Sequence, residues 1–384
     1  MRGLMFLPFV VLTFCCWGLY GPTLHAGQFA FGENGQLSAF RPFICVGIAY
    51  FLIAVLFPVI VLQTKGEKGY WSMKGFVWSF IAGAVGAGGA LGIILALKSG
   101  GKPIYVMPLV FGCAPVVNTF VTMFLARNFK EASWPFYVGI LVVAIGAAGV
   151  FINKPVAPHA HTSHEAVVSE TTNVAYVDAA VTTADPDGEV QDPETRNALP
   201  TEKKDLGESI IDWLGRALCI LVTACCWGAY GPMLHNGQVV MGGSRLRPFI
   251  CVGLAYFAVA VILPIALMPL FPAEPGNWSV THHFMGYLWS LFAGSIGAVG
   301  ALGIIYAFNF GGKPLFVMPL VFGCAPVVNT FWEIFSKNLW DQVQWGFFLS
   351  LFLVIAGAVT VLLMAPRPHK PAKPTPPEST APAA

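Results

Sequence analysis

The chain has 384 residues, of which 56% are hydrophobic and only 10% charged, against about 25% in an ordinary soluble domain. Its mean hydropathy is +0.69. Twenty-one Lys+Arg and 19 Asp+Glu are too few to solvate two or three soluble domains. The net charge of +2 comes without a basic patch, which excludes nucleic acid as a partner. The solvent this composition fits is a lipid bilayer.

The first apolar run, near 4–25, carries Trp17-Gly18, Tyr20, Gly21-Pro22, His25 and Gln28. Helical spacing puts Gly18, Gly21/Pro22 and His25 on one face. Pro22 removes a backbone donor, so a break beside His25 is expected, with the imidazole turned to the bundle interior or a cavity. The alternative is an interfacial His25 bonded to a loop carbonyl. The second run is 42–63. The third, 76–98, holds Gly83, Gly86, Gly88, Gly89 and Gly92, a small-residue face for close and sliding helix contact. The turn Gly100-Gly101-Lys102-Pro103 lacks the residues of a phosphate loop. Lys102 is expected to snorkel, with attraction of an anionic solute as the other reading.

The fourth run, 104–126, contains Pro108, Pro115, Asn118, Thr119 and Thr122. Two prolines seven residues apart are expected to kink or break the helix, with Asn118 about 4.5 Å beyond Pro115. Broken fourth spans meeting at the midplane would make a transport site. The fifth run is 134–152. The segment 153–212 carries twelve of the 19 acids and Tyr176 as its only Phe, Trp or Tyr before Trp213. It is expected to stay disordered, with His159, His161 and His164 part of a solvated tether rather than a metal site.

The same order then recurs near 216–236, 249–271, 284–308, 315–336 and 344–364. MPLVFGCAPVVNTF at 107–120 returns unchanged at 318–331, and RPFICVG at 41–47 returns at 247–253. CCWGLYGPTLHAGQ at 15–28 returns as CCWGAYGPMLHNGQ at 225–238, so the first run is not read as a cleaved signal. The twins of the polar positions are Trp227, Tyr230, His235, Pro326, Asn329 and Thr330, with Glu333 in place of Thr122. A Pro/Ala-rich tail, 367–384, is expected to be disordered.

Ten runs of about 20 residues suit ten membrane-crossing helices. The expected fold is all-α, two inverted five-helix repeats over 1–152 and 213–366, since five spans per copy reverse the second copy. Taking the N-terminal side as A, 12 Lys/Arg fall on side A and 6 on side B, with three more in the linker. That bias makes side A cytoplasmic, both termini internal and the linker extracytoplasmic. The nine cysteines all lie in apolar runs, with no disulfide or metal spacing. No nucleophile–base pair or cofactor fingerprint is visible, so neither an enzyme nor a cofactor is expected. Glu333, near the end of its span, is the one carboxylate inside a run, and coupling through a central buried acid is not expected.

Two five-helix copies, Trp17-Gly18 and Trp227-Gly228, and the proline-bearing fourth spans resemble the drug/metabolite transporter superfamily. The segment from Tyr20 to His25 is similar to its rhamnose-symporter branch, and the plan to ureide permeases. The resemblance implies a central cavity lined by first, third and fourth spans. It singles out Trp17, Tyr20, His25, Asn118, Thr119, Trp227, Tyr230, His235, Asn329 and Thr330 for substrate. His25, His235, Pro115, Pro326 and Glu333 are singled out for coupling or gating. Neither first span carries the glutamate of small multidrug exporters, and the linker lacks a nucleotide-binding pattern. The expected function is secondary transport of a small polar organic solute, a sugar or a nitrogen-rich metabolite, with H+ or Na+ as candidate coupling ion. The rival readings are an exporter of amphipathic compounds and a non-transporting receptor or scaffold. Oligomeric state is left open.

Overall fold

A computed structural model describes residues 5–127, 129–155, 206–272, 274–311 and 314–365. The histidine-bearing linker, the tail and Lys313 lie outside the described residues. The chain divides into one unit of residues 1–155 with 212–384 and a second of 156–211.

Each of the ten apolar runs is a helix: α1 (Leu7–Phe31), α2 (Phe40–Thr64), α3 (Met73–Lys98), α4 (Pro103–Ala126), α5 (Trp134–Ile152), α6 (Leu206–Val240), α7 (Leu246–Leu270), α8 (Val280–Asn309), α9 (Pro314–Ser336) and α10 (Trp345–Met364). Among the described residues there is no strand. Among the described residues nine helices are long and apolar enough to cross a membrane, and α9 adds a shorter apolar stretch, Leu320–Ser336. The protein is a multi-pass membrane protein. Helix is the state an open apolar segment must take in lipid, because its backbone groups then bond within the segment.

The expected breaks are not where the prolines of the first and fourth spans stand. α1 runs unbroken through Pro22, and α4 through Pro108 and Pro115. Packing on neighbouring helices holds a proline-bearing span helical in a membrane. The irregular turns lie instead in the second spans and near the start of α8, where His283 leaves helical geometry. π-turns at Leu52–Leu56 and Ala258–Ile262 precede Pro58 and Pro264. A proline has no N–H for the carbonyl four residues back, and a wider turn absorbs the mismatch.

Contacts come in reciprocal pairs. A Cβ on Gly83 would sit 2.7 Å from Val252 Cα, and one on Gly294 would sit 2.7 Å from Val46 Cα. The third span of each copy therefore lies backbone to backbone on the second span of the other. α1 packs along α8. Thr13 Oγ1 donates to Gly300 O (3.1 Å), and Thr223 Oγ1 to Gly89 O (3.3 Å). Tyr50 and Tyr256 stack face to face, with centroids 3.8 Å apart.

Each second span starts with free N–H groups, and a loop carboxylate from the other copy caps them. At end A, Glu67 accepts from Ser244 Oγ (2.6 Å), Arg245 N (3.0 Å) and Leu246 N (3.2 Å). At end B, Glu274 accepts from Ser38 Oγ (3.0 Å), Ala39 N and Phe40 N (2.9 Å). Lys98 Nζ also donates to Glu274 (2.5 Å). The sequence places both acids in loops without marking this role, although both copies keep one glutamate there.

Burial works against ionised Glu274, but Lys98 and the N–H groups of Ala39 and Phe40 outweigh it and hold the carboxyl below the usual glutamate range. A depressed carboxylate contributes stability above its unfolded pKa of about 4.3, and that contribution is lost as pH falls through the lower folded value. Glu274→Gln should cost about 2 kcal/mol at pH 7; the Lys98 part is reduced because Lys98 is a third exposed. Apparent melting temperatures of purified wild type and variant should differ at pH 6–7 and begin to draw together only below about pH 4, as the depressed carboxyl takes up its proton. A gap that persists unchanged at acid pH would refute the clasp.

Candidate functional site

A cavity of about 650 Å3 opens among the helices. Its centre is walled by four twin pairs of aromatic residues: Trp17 and Trp227, Tyr20 and Tyr230, Tyr50 and Tyr256, Phe111 and Phe322. The rings touch across the copies. Tyr20 meets Trp227 edge-on at 5.9 Å, and Phe111 lies 6.2 Å from Phe322. The indoles are fixed by backbone. Trp17 Nε1 donates to Gly297 O and Trp227 Nε1 to Gly86 O, both at 3.2 Å. Each indole fits only because Gly300 and Gly89 face it, where a Cβ would run into the ring.

Toward end A the lining turns polar, with Asn118 and Thr122 from α4 and His235, Asn236 and Gln238 from α6. Among the described residues no Asp, Glu, Lys or Arg lines the cavity. Such a wall offers ring faces, hydroxyls and amides but no fixed counter-charge, so it suits an uncharged solute with apolar faces and a few polar groups. Among the described residues no group of acids, histidines or cysteines is placed to hold a metal. All nine cysteines are free.

Of the residues singled out for substrate, the cavity gathers Trp17, Tyr20, Asn118, Trp227, Tyr230 and His235. The others lie elsewhere. Thr119 is 2% exposed, and its hydroxyl bonds back to Pro115 O (2.9 Å). His25 lines a separate, smaller cavity. Asn329 and Thr330 are fully buried, and Asn329 Nδ2 donates to Pro103 O (2.9 Å). Of the gating candidates, Pro115 and Pro326 sit inside continuous helices. Glu333 is 1% exposed and paired to Lys337 Nζ (2.7 Å), so this carboxylate near the end of its span is buried.

The second-span tyrosines and the fourth-span phenylalanines escaped the sequence reading. Their signal was repetition, Ala-Tyr-Phe at 49–51 and again at 255–257, in runs that looked like plain packing.

The identical segments 107–120 and 318–331 thus occupy different surroundings. Asn118 lines the open cavity at end A, while its twin Asn329 is sealed at end B against the first residue of α4. No protein-family model matches the chain, and no characterised protein is significantly similar to it.

Gly300→Ala and Gly89→Ala should each displace an indole and break its bond to the other copy. An overpacked methyl costs about 1–3 kcal/mol, read as a lowered apparent melting temperature. Ala in place of Gly88, whose Cβ would lie 3.7 Å from its nearest neighbour, should be close to neutral. Equal effects at all three positions would contradict the indole assignment.

Proposed function

We propose that the chain is a secondary transporter of a small, uncharged polar organic solute, a sugar or a nitrogen-rich metabolite. It works by alternating access between two inverted five-helix repeats. One observation carries the reading: a 14-residue segment present twice without change is open at one end and latched at the other. One amino-acid sequence in two environments is what two halves sharing one conformational exchange would give. Opening end B would release Asn329 from Pro103 O. Closing end A would let Asn118 donate to the carbonyl of Pro314, the twin of Pro103.

The surplus of Lys and Arg on side A makes the open end cytoplasmic, so this is an inward-facing state. H+ or Na+ is the candidate coupling ion. The charge-free wall favours a neutral solute. The same eight aromatic rings also support a second reading, an exporter of amphipathic compounds. Trp17→Leu and Trp227→Leu would cripple that exporter, whereas loss of the amides would spare it.

Losing one neutral hydrogen bond shifts a two-state balance by about 1 kcal/mol, roughly fivefold. A cysteine at Thr330, in a background without the nine native cysteines, reports opening at end B. Asn329→Leu should raise its labelling by an impermeant thiol reagent from side B about fivefold, and Asn118→Leu should lower it. Both leucine variants should insert normally and lose solute uptake. Labelling that responds to neither variant, with uptake retained, would overturn the reading.

A further inference from the structure

We propose that a second cavity, at end B, binds the anionic group of a small molecule, a carboxylate or a phosphate, between Lys102 and His25. The cavity measures about 480 Å3 and shares no lining residue with the aromatic one. Its polar walls come from α1, the loop after it, the end of α3 and the turn into α4: His25, Gln36, Lys98, Gly100, Gly101 and Lys102.

Charge accounting singles out one ammonium. Four lysines serve this end, and the Lys154 ammonium lies over the rings of Tyr105 and Phe151. Lys98 is answered by Glu274 (2.5 Å) and Lys337 by Glu333 (2.7 Å). Lys102 has no carboxylate within ion-pair distance among the described residues, and it stands on the cavity wall rather than turned away from it. The imidazole beside it is similarly short of partners. His25 Nδ1 is shielded and makes no hydrogen bond among the described residues.

Positive charge is crowded here more widely. Burial, then Arg216 and Lys102, push the Lys154 ammonium below the usual lysine range. Arg216 Nε donates to Ser99 O (3.0 Å) in the same turn. An anion between Lys102 and His25 would receive an ammonium and an imidazole N–H and would relieve that repulsion. The aromatic cavity offers no comparable berth, since no Lys or Arg among the described residues lines it. The site depends on these groups alone and stands whether or not the chain transports.

The test uses the full chain in nanodiscs of zwitterionic lipid, titrated with inorganic phosphate and with succinate at constant ionic strength, with thermal stability as readout. Ligand bound to the folded state raises stability in a saturable way. Saturable stabilisation is expected. Lys102→Gln should weaken it at least tenfold, while Lys102→Arg retains it. Lys65→Gln, an exposed lysine of the A-end loop, should leave it unchanged. A parallel titration in nanodiscs with anionic lipid identifies the source of the anion. If lipid headgroups abolish the response to soluble anions in wild type and Lys102→Gln removes that protection, the anion site is upheld with a headgroup as its occupant. Stabilisation that never saturates and is equal in Lys102→Gln would overturn the proposal. So would the absence of any anion response in both lipid backgrounds.

Discussion

An indole N–H packed among helices needs a fixed partner, and in this protein two of them reach across to the other copy. Trp17 bonds Gly297 O and Trp227 bonds Gly86 O. The rest of the centre follows from that pair. A backbone carbonyl can be offered to a neighbouring helix only where side chains stand aside, which is why glycines line α3 and α8 at these levels. Thr13 and Thr223 use the same opening one turn on. With the indoles fixed, the tyrosines and phenylalanines pack edge and face around them, and the space left over is the aromatic cavity.

The two ends are built on different terms. Glu67 and Glu274 clasp the starts of the second spans at ends A and B alike. The fourth-span asparagine is latched at end B only. Under alternating access, the clasps are then the fixed framework, and the first and fourth spans carry the exchange. The π-turns fall in the clasped second spans, where a proline's missing donor must be absorbed. The ends also differ chemically. Thr122 faces the open cavity, whereas its counterpart Glu333 is buried and paired to the exposed Lys337, so under alternating access a solute would meet a neutral mouth on one side and charged groups on the other.

Hydropathy located all ten helices, with most ends within a few residues, because about 20 apolar residues in a row admit little else. α6 departs from this, starting at Leu206 rather than near 216, since its first turns are polar and carried no apolar signal. The glycine-rich third spans were legible for the same reason that they work: only close packing explains so many glycines. Half of the expected site was not legible. Asn118 and Asn329 are the same residue in the same sequence, and nothing local distinguishes the open copy from the sealed one. That difference belongs to the conformation of the whole molecule. The prolines misled in the opposite sense, since local chemistry forecast breaks that tertiary packing suppresses. Glu67 and Glu274 looked like loop acids because the N–H groups they serve belong to a distant part of the chain.

The central claim is that closure at one end accompanies opening at the other. The most direct measurement is a pair of spin-label distances in lipid bilayers, one across the A mouth between Leu125 and Gln238, the other across end B between Lys102 and Lys337. The expected result is two populations at each end, with the short A distance rising as the short B distance falls when conditions or solute shift the balance. A single distance at each end, unmoved by any solute or ion gradient, would contradict the account.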